Sequence, residues 1–368
     1  MEASTRVSLG RIIAQGLVPA TAACSPLEAV ENLAALQGQQ ASAIPWAIGV
    51  RCTGVSRARV EESFARGELV RSWPMRGTVH VTSARDHHWL RRLLRHRRAA
   101  WERQALSLGL DDALVERAAQ VACELLETSP LGVSRVELVE AWGRNGIDTV
   151  TASSSQERLR RRHLIMRLHL DGVLTAGPVR AGEHLIVDAR SLPSAPGVAK
   201  GEDGHEEALA VLAARYTWGH GPIDEADLAR WTGLTLTEAR RALGGARVAG
   251  ESVDLPLADF GGGLARADLA DLVEDFRVEA EMMRALPPFD ELHVGYRDRS
   301  CLTDEAGEAL ICPAKNGMFR PIVVEGGRVV AVRAPGREIV MVKGYESRQR
   351  PAARACDDWE KWLSETQQ

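Results

Sequence analysis

Lysine is nearly missing from this chain. Lys200, Lys315, Lys343 and Lys361 are the only ones, so every other member of the 46 basic residues is an arginine. Arginine's planar fork suits phosphate, yet an arginine-rich genome gives the same bias, so composition alone names no partner. Long apolar runs are missing too. No stretch of about 18 residues is apolar enough to span a bilayer, so no membrane association is expected. The opening MEASTRVSLGRIIAQGLVPA has neither a basic leader nor a long apolar region, which argues against secretion. Cys24, Cys52, Cys123, Cys301, Cys312 and Cys356 are scattered without zinc-ligand spacing and fit reduced thiols in the cytoplasm.

The usual enzyme signatures are absent as well. There is no G-x-x-x-x-G-K-[ST] phosphate loop, no dinucleotide fingerprint among the scattered glycines, and no G-x-S-x-G nucleophile elbow. His87 and His88 are adjacent, whereas the two histidines of an HExxH helix share one face four positions apart. No metal and no cofactor are expected.

What is present is unevenly distributed charge. The formal net charge of −4 argues against a uniformly basic nucleic-acid binder but leaves room for a local one. ARDHHWLRRLLRHRRAAWER holds Arg85, Arg91, Arg92, Arg95, Arg97, Arg98 and Arg103, QERLRRRHLIMRLH gives a second basic run, and residues 251–283 are acidic. One basic helix is often only a solvated face. Two in similar contexts favour a polyanion partner.

Three stretches share a rhythm of helix, short break, helix, then two short strands. In the first, PLEAVENLAALQ and SRARVEESFARG read as helices, strands flank PMRGT, and a long helix follows that Thr82 or Ser83 caps. In the second, Ser134 and Glu137 have capping-box spacing, and VLTAGPVRAGEHLIVDA reads as a hairpin. In the third, IDEADLARWTGLTLTEARRAL has the form of a helix-turn-helix, for which packing is the first role and groove entry the second. SLPSAPGVAKGEDGHEE is a connector. Beyond it, FRPIVVEGGRVVAVRAP and REIVMVKGY read as short antiparallel strands able to close as a barrel, and the tail as a short helix that frays.

The pieces QGQQA, ELVRSWPMRGTVHVTSARDHHWL, LPPFDELHVGYRDR and NGMFRPIVVEGGRVVAVR resemble the winged-helix DNA glycosylases of bacterial crosslink repair, and within them the azinomycin-resistance branch, over nearly the whole chain. The resemblance implies an α+β fold of three tandem winged-helix domains, at 1–128 (with its long following helix), 129–190 and 203–275, and a C-terminal β-barrel at 282–350. It further implies a monofunctional DNA glycosylase acting on double-stranded DNA. Such an enzyme excises cationic N7-alkylguanines and unhooks azinomycin-type interstrand crosslinks, a role in base excision repair and antibiotic resistance. A monomer is the default, because tandem modules supply their own clamp. The family motif, Gln, one variable residue, then Gln or Asp, falls on Gln37, Gly38 and Gln39. Gly38 stands where relatives often carry an apolar residue, and Gln39 leaves the motif without a carboxylate.

An all-amide site makes chemical sense for one class of substrate. Alkylation at N7 gives guanine a positive charge, so the base departs neutral and needs no general acid. What remains is to support an oxocarbenium-like sugar and to place a water, which amide carbonyls and preorganised dipoles can do. Arg57, Arg59, Arg76, His80, Lys343 and Arg348 are the candidate DNA contacts, with His80 equally suited to packing. A non-enzymatic winged-helix regulator fits the composition nearly as well, but has no use for two glutamines. A protein that sequesters the alkylating agent is a third reading.

Overall fold

The computed structural model describes residues 2–94, 99–147, 155–194 and 204–365, and of 99–102 and 155 only the backbone. The chain divides into two compact units, one formed by Met1–Val60 with Ala199–Gln368 and the other by Glu61–Val198. The class is α+β, as expected.

The first unit opens with α1 (Ala3–Ala14), α2 (Pro26–Asn32), β1 (Leu36–Gln37) and α3 (Ile44–Gly49), and α4 (Arg57–Ala65) carries the chain into the second. Helix α2 is shorter than PLEAVENLAALQ suggests. Leu33, Ala34, Ala35 and Leu36 are all at most 1% exposed, and four consecutive buried residues do not fit one helical face. The chain therefore leaves the helix, with Ala34 in the left-handed region at φ 60, and continues extended.

The second unit contains β2 (Leu69–Met75), β3 (Thr78–Ser83), α5 (Ala84–Leu93), α6 (Ala99–Ser107), α7 (Asp112–Glu127), α8 (Arg135–Arg144), α9 (Ser155–Asp171), β4 (Leu174–Arg180) and β5 (Glu183–Asp188). Its strands β3, β2, β4 and β5 lie side by side in that order, antiparallel throughout. Helices α7, α8 and α9 bury Ala118, Leu138, Trp142, Leu164 and Leu168 against Leu174 and Ile186 of the sheet. The capping box of Ser134 and Glu137 starts α8. The long helix expected after β3 stops at Leu93, with Leu94 in a turn conformation. Arg95, Arg97 and Arg98 lie outside the described residues, as does most of the connector.

The remainder of the first unit comprises α10 (His205–His220), α11 (Glu225–Thr232), α12 (Leu236–Ser252), β6 (Leu257–Phe260), β7 (Gly263–Arg266), α13 (Leu269–Asp275), α14 (Arg277–Glu281), β8 (Arg284–Leu286), α15 (Glu291–Val294), α16 (Glu305–Ile311), β9 (Ile322–Glu325), β10 (Arg328–Arg333), β11 (Ile339–Met341) and α17 (Gln349–Ser364). Helices α11 and α12 form the helix-turn-helix read from the sequence. Gly233 ends the first at φ 82, the left-handed position glycine favours, and a Thr235–Glu238 capping box begins the second. The hairpin β6–β7 follows.

The C-terminal strands do not close among the described residues. They form an open antiparallel sheet in the order β11-β10-β9-β8. Ile322, Val324, Val329 and Val332 share a core with Leu9, Ile12 and Ile13 of α1. Val323, Val330 and Ala331 point the other way, to Ala352, Cys356 and Trp359 of α17. A bulge between Val329 and Ala331 puts the consecutive Val330 and Ala331 on one side. Both faces are thus covered by helices, and the three-residue edge strands β8 and β11 have no barrel interior to enclose. The tail is correspondingly longer than expected. Apolar residues at 352, 356 and 359 give α17 a buried stripe, and the helix runs for 16 residues.

Candidate active site

The glutamine segment is held from both ends. Upstream, Ser25 caps α2 by accepting the Glu28 N–H at 3.2 Å, and Gly219 of α10 lets that helix press against the end of α2, where any Cβ would overlap the Asn32 carbonyl oxygen. Downstream, the chain turns into α3, whose Trp46 stacks with Trp359 at 6.4 Å and donates its indole N–H to Ala285 O at 2.9 Å. Between these anchors Gln37 and Gln39 are half-buried, Gly38 is buried and Gln40 is exposed. Strand β1 ends at Gln37 and the chain bends at Gln39 and Gln40, so the motif lies where the strand gives way to the turn into α3. Gln40 turns away and donates to Ser42 Oγ at 3.1 Å.

Against the Gln37 backbone lies a carboxylate that sequence reading did not single out. Glu291 is 1% exposed. Its Oε1 accepts the Gln37 backbone N–H at 2.8 Å. Its Oε2 lies 3.3 Å from His220 Nε2 and accepts the Trp231 indole N–H at 3.3 Å. The neighbouring Asp290 caps α15 through the Leu292 N–H at 2.9 Å and takes two 2.8 Å bonds from Arg51. Arg51 also donates to Gln15 Oε1 at 2.7 Å and Ala47 O at 2.8 Å. Burial alone pulls the Arg51 guanidinium down, but Asp290, with Glu291 nearby, holds it above its ordinary value. The network continues through Gln15 to the Tyr296 hydroxyl at 2.9 Å, and from Tyr296 to His220 O at 2.8 Å. The one visible signal was the acidic pair of FDELH inside an otherwise apolar run.

The candidate DNA contacts are dispersed. Arg57, half-buried at the start of α4, donates to Leu363 O of α17 at 3.2 Å, and Arg59 two residues on is exposed. Lys343, just after β11, is exposed. Arg348 is exposed too but forks onto Glu325, with Nε at 2.7 Å, so part of its charge is compensated. Arg76 and His80 belong to the other unit. Arg76 sits at φ 54 in the β2–β3 turn. His80 is fully buried, with Nδ1 3.0 Å from Thr78 O and Nε2 3.2 Å from Arg76 Nη2. Because Arg76 can only donate, His80 carries its proton on Nδ1 and braces the hairpin.

A groove of about 610 Å³ begins at Gln40 and Ser42 and runs between Phe319, Trp359, Arg320, Arg333 and Arg337. Arg333 and Arg337 both pair with Glu360. Three arginines against that one glutamate leave this wall cationic, which arginine content alone did not localise. Among the described residues no cluster of His, Cys, Asp and Glu has the form of a metal site, and no helix is long and apolar enough to cross a membrane.

Residues 30–341 match the model of the family described as DNA glycosylase AlkZ-like. Among solved structures, the Streptomyces sahachiroi DNA glycosylase AlkZ is similar over 96% of either chain, at 23% identity and a TM-score of 0.64. At that identity the likeness speaks for the fold. A search of the curated proteins finds no match.

Proposed function

Since the chain belongs to the AlkZ-like DNA glycosylase family, we propose that it is a monofunctional glycosylase for cationic N7-alkylguanines in double-stranded DNA, with Gln37 and Gln39 as its catalytic residues. The observation that carries this reading is the pair itself: two half-buried amides one glycine apart where β1 ends, the first fixed at its backbone N–H by the buried Glu291. In the reaction the bond between the sugar C1′ and guanine N9 breaks, and its electron pair goes to the base. The base thereby loses its formal charge and leaves as neutral alkylguanine. A water oxygen bonds C1′, one of its protons passes to solvent, and an abasic site remains. The side-chain carbonyls orient that water, and their dipoles support the cationic sugar. Neutral adenine or uracil would need a proton donor that two amides do not supply.

The helix–hairpin repeats at 1–128, 129–190 and 203–275 are read as winged-helix domains that hold the duplex, and 282–350 as a C-terminal region built on the open sheet. N7 faces the major groove, so a bridge between strands protrudes there. A site that works without fully swallowing the base tolerates such a tether, which extends the substrate range to azinomycin-type crosslinks and hence to antibiotic resistance.

The test is release of free base from duplex DNA bearing 7-methylguanine or an azinomycin crosslink. The wild-type protein should yield free base and an abasic strand. Gln37→Ala and Gln39→Ala should each lose about 10²–10³-fold in rate while binding DNA as before. Binding without release by the wild-type protein would favour the regulator instead, and variants as fast as wild type would remove the glutamines from the mechanism.

A further inference from the structure

We infer that Glu291 is a positioning residue for the glutamine pair, acting as the acceptor that pins the Gln37 peptide; this rests on the glycosylase reading above. A backbone N–H beside an active centre can be satisfied by a carbonyl or by water. Here it is satisfied at 2.8 Å by a carboxylate that is 1% exposed, and burying a carboxylate is unfavourable unless its partners compensate. The partners are present: His220 and Trp231 meet the second oxygen at 3.3 Å each. An ionised carboxylate is an acceptor at both oxygens, whereas a glutamine there offers one acceptor and one donor, so Glu suits a place where donors approach from two sides.

The geometry also explains why Gln37 needs pinning. The motif carries Gly38 between its two glutamines, and glycine leaves a backbone freer than any other residue. Fixing the Gln37 N–H holds the segment just before that glycine. Glu291 is itself rigidly placed, on α15 behind an Asp290 locked by Arg51 at 2.8 Å. A chain of buried contacts thus runs from Arg51 through Asp290 and Glu291 to the Gln37 peptide.

Three variants of the full chain test this: Glu291→Met, near in size but with no oxygen acceptor; Glu291→Gln, which keeps a carbonyl for the Gln37 N–H; and Trp231→Phe, which removes a donor to Glu291 but leaves the Gln37 contact. Single-turnover release of 7-methylguanine, duplex affinity, thermal melting and amide hydrogen exchange over residues 34–42 are read for each. Glu291→Met should release base about 10²-fold more slowly, the size of loss expected when a reacting group is misplaced by about an ångström. Its duplex affinity should be unchanged and exchange over 34–42 faster. Glu291→Gln should recover most of the rate, and Trp231→Phe should keep it. Glu291→Met releasing base at wild-type speed, or exchanging 34–42 at the wild-type rate, overturns the inference. So does Trp231→Phe losing as much as Glu291→Met, which would mark a merely structural role. Should Glu291→Met not fold, Glu291→Gln decides, because a folded, DNA-binding Glu291→Gln that loses a hundredfold in rate while exchanging 34–42 at the wild-type rate is incompatible with an acceptor role. Should the wild-type protein release no base at all, the glycosylase reading fails, while the exchange measurement, made without DNA, still tests the anchor.

Discussion

Arg51 and Asp290 form a two-armed ion pair, both bonds 2.8 Å, with each side chain 1% exposed. A buried pair of this kind stabilises little relative to apolar residues of the same shape, but removing one partner strands the other charge. Arg51→Met should therefore lower the unfolding free energy by about 3–5 kcal/mol, as read from denaturant melts of the whole chain. Because Asp290 caps the helix that carries Glu291, the folded fraction should also release base slowly. A shift of less than about 1 kcal/mol, the range of exposed pairs, would show that the clamp is not needed.

Gly219 gives a sharper steric prediction. A Cβ at this position would overlap the Asn32 carbonyl oxygen and lie 3.1 Å from Leu33 Cα, and both obstacles are backbone. Overpacking of this kind typically destabilises by about 1–3 kcal/mol, occasionally more, and no side-chain rotation relieves it. Gly219→Ala should sit at or beyond the top of that range in a denaturant titration. Gly244, in the neighbouring helix α12, meets nothing within 4 Å, so Gly244→Ala should be neutral or slightly stabilising. Equal effects at the two positions would contradict the close helix approach.

Much of the fold was legible because its signals are local. Ser134–Glu137, the glycine of TGLT and the EGGR hairpin each specify backbone geometry within a few residues, and each is found in place. The end of α2 was not legible in that way. PLEAVENLAALQ is helical by propensity throughout, and only tertiary burial of all four residues from Leu33 to Leu36 stops it. The covering of one face of the C-terminal sheet by α1 joins segments more than 300 residues apart, which periodicity cannot link. The site divides likewise. Gln37 and Gln39 stand out as a motif, whereas Glu291 bears on them only because the chain returns 254 residues later.

Acid should destabilise the second unit first. Burial pushes His169 down to about 3 and His184 to about 4, each helped by the nearby charge of Arg71. Above the ordinary histidine value of 6.5 both are neutral whether the chain is folded or not, so they contribute no pH dependence. As the pH falls through 6.5 the unfolded chain takes up protons that the folded unit refuses, and stability declines. The decline should continue to about pH 4, where folded His184 protonates, and toward pH 3 for His169. Melting temperatures should thus be level near pH 7–8 with respect to these groups and fall between pH 6.5 and 4. His184→Asn, able to keep a donor toward Gly177 O, should flatten that slope; an unchanged slope would mean that other groups set it.

Salt dependence should separate the two candidate contacts of the C-terminal region. Each phosphate neutralised by a cation contributes roughly −0.9 to the slope of log affinity against log salt. Lys343 is exposed on the turn after β11, so if it meets phosphate, Lys343→Ala should reduce the slope by about one contact's worth. Arg348 is already forked onto Glu325, and to serve phosphate it must surrender that partner or share its charge. Arg348→Ala should accordingly change the slope by much less. Glu325→Gln is the informative companion: freeing Arg348 should tighten duplex binding at low salt and steepen the slope. Fluorescence anisotropy on an undamaged duplex at several salt concentrations reads all three. Equal slopes for Lys343→Ala and wild type would take Lys343 off the DNA surface, and Arg348→Ala losing a full contact would mean that Glu325 releases it on binding.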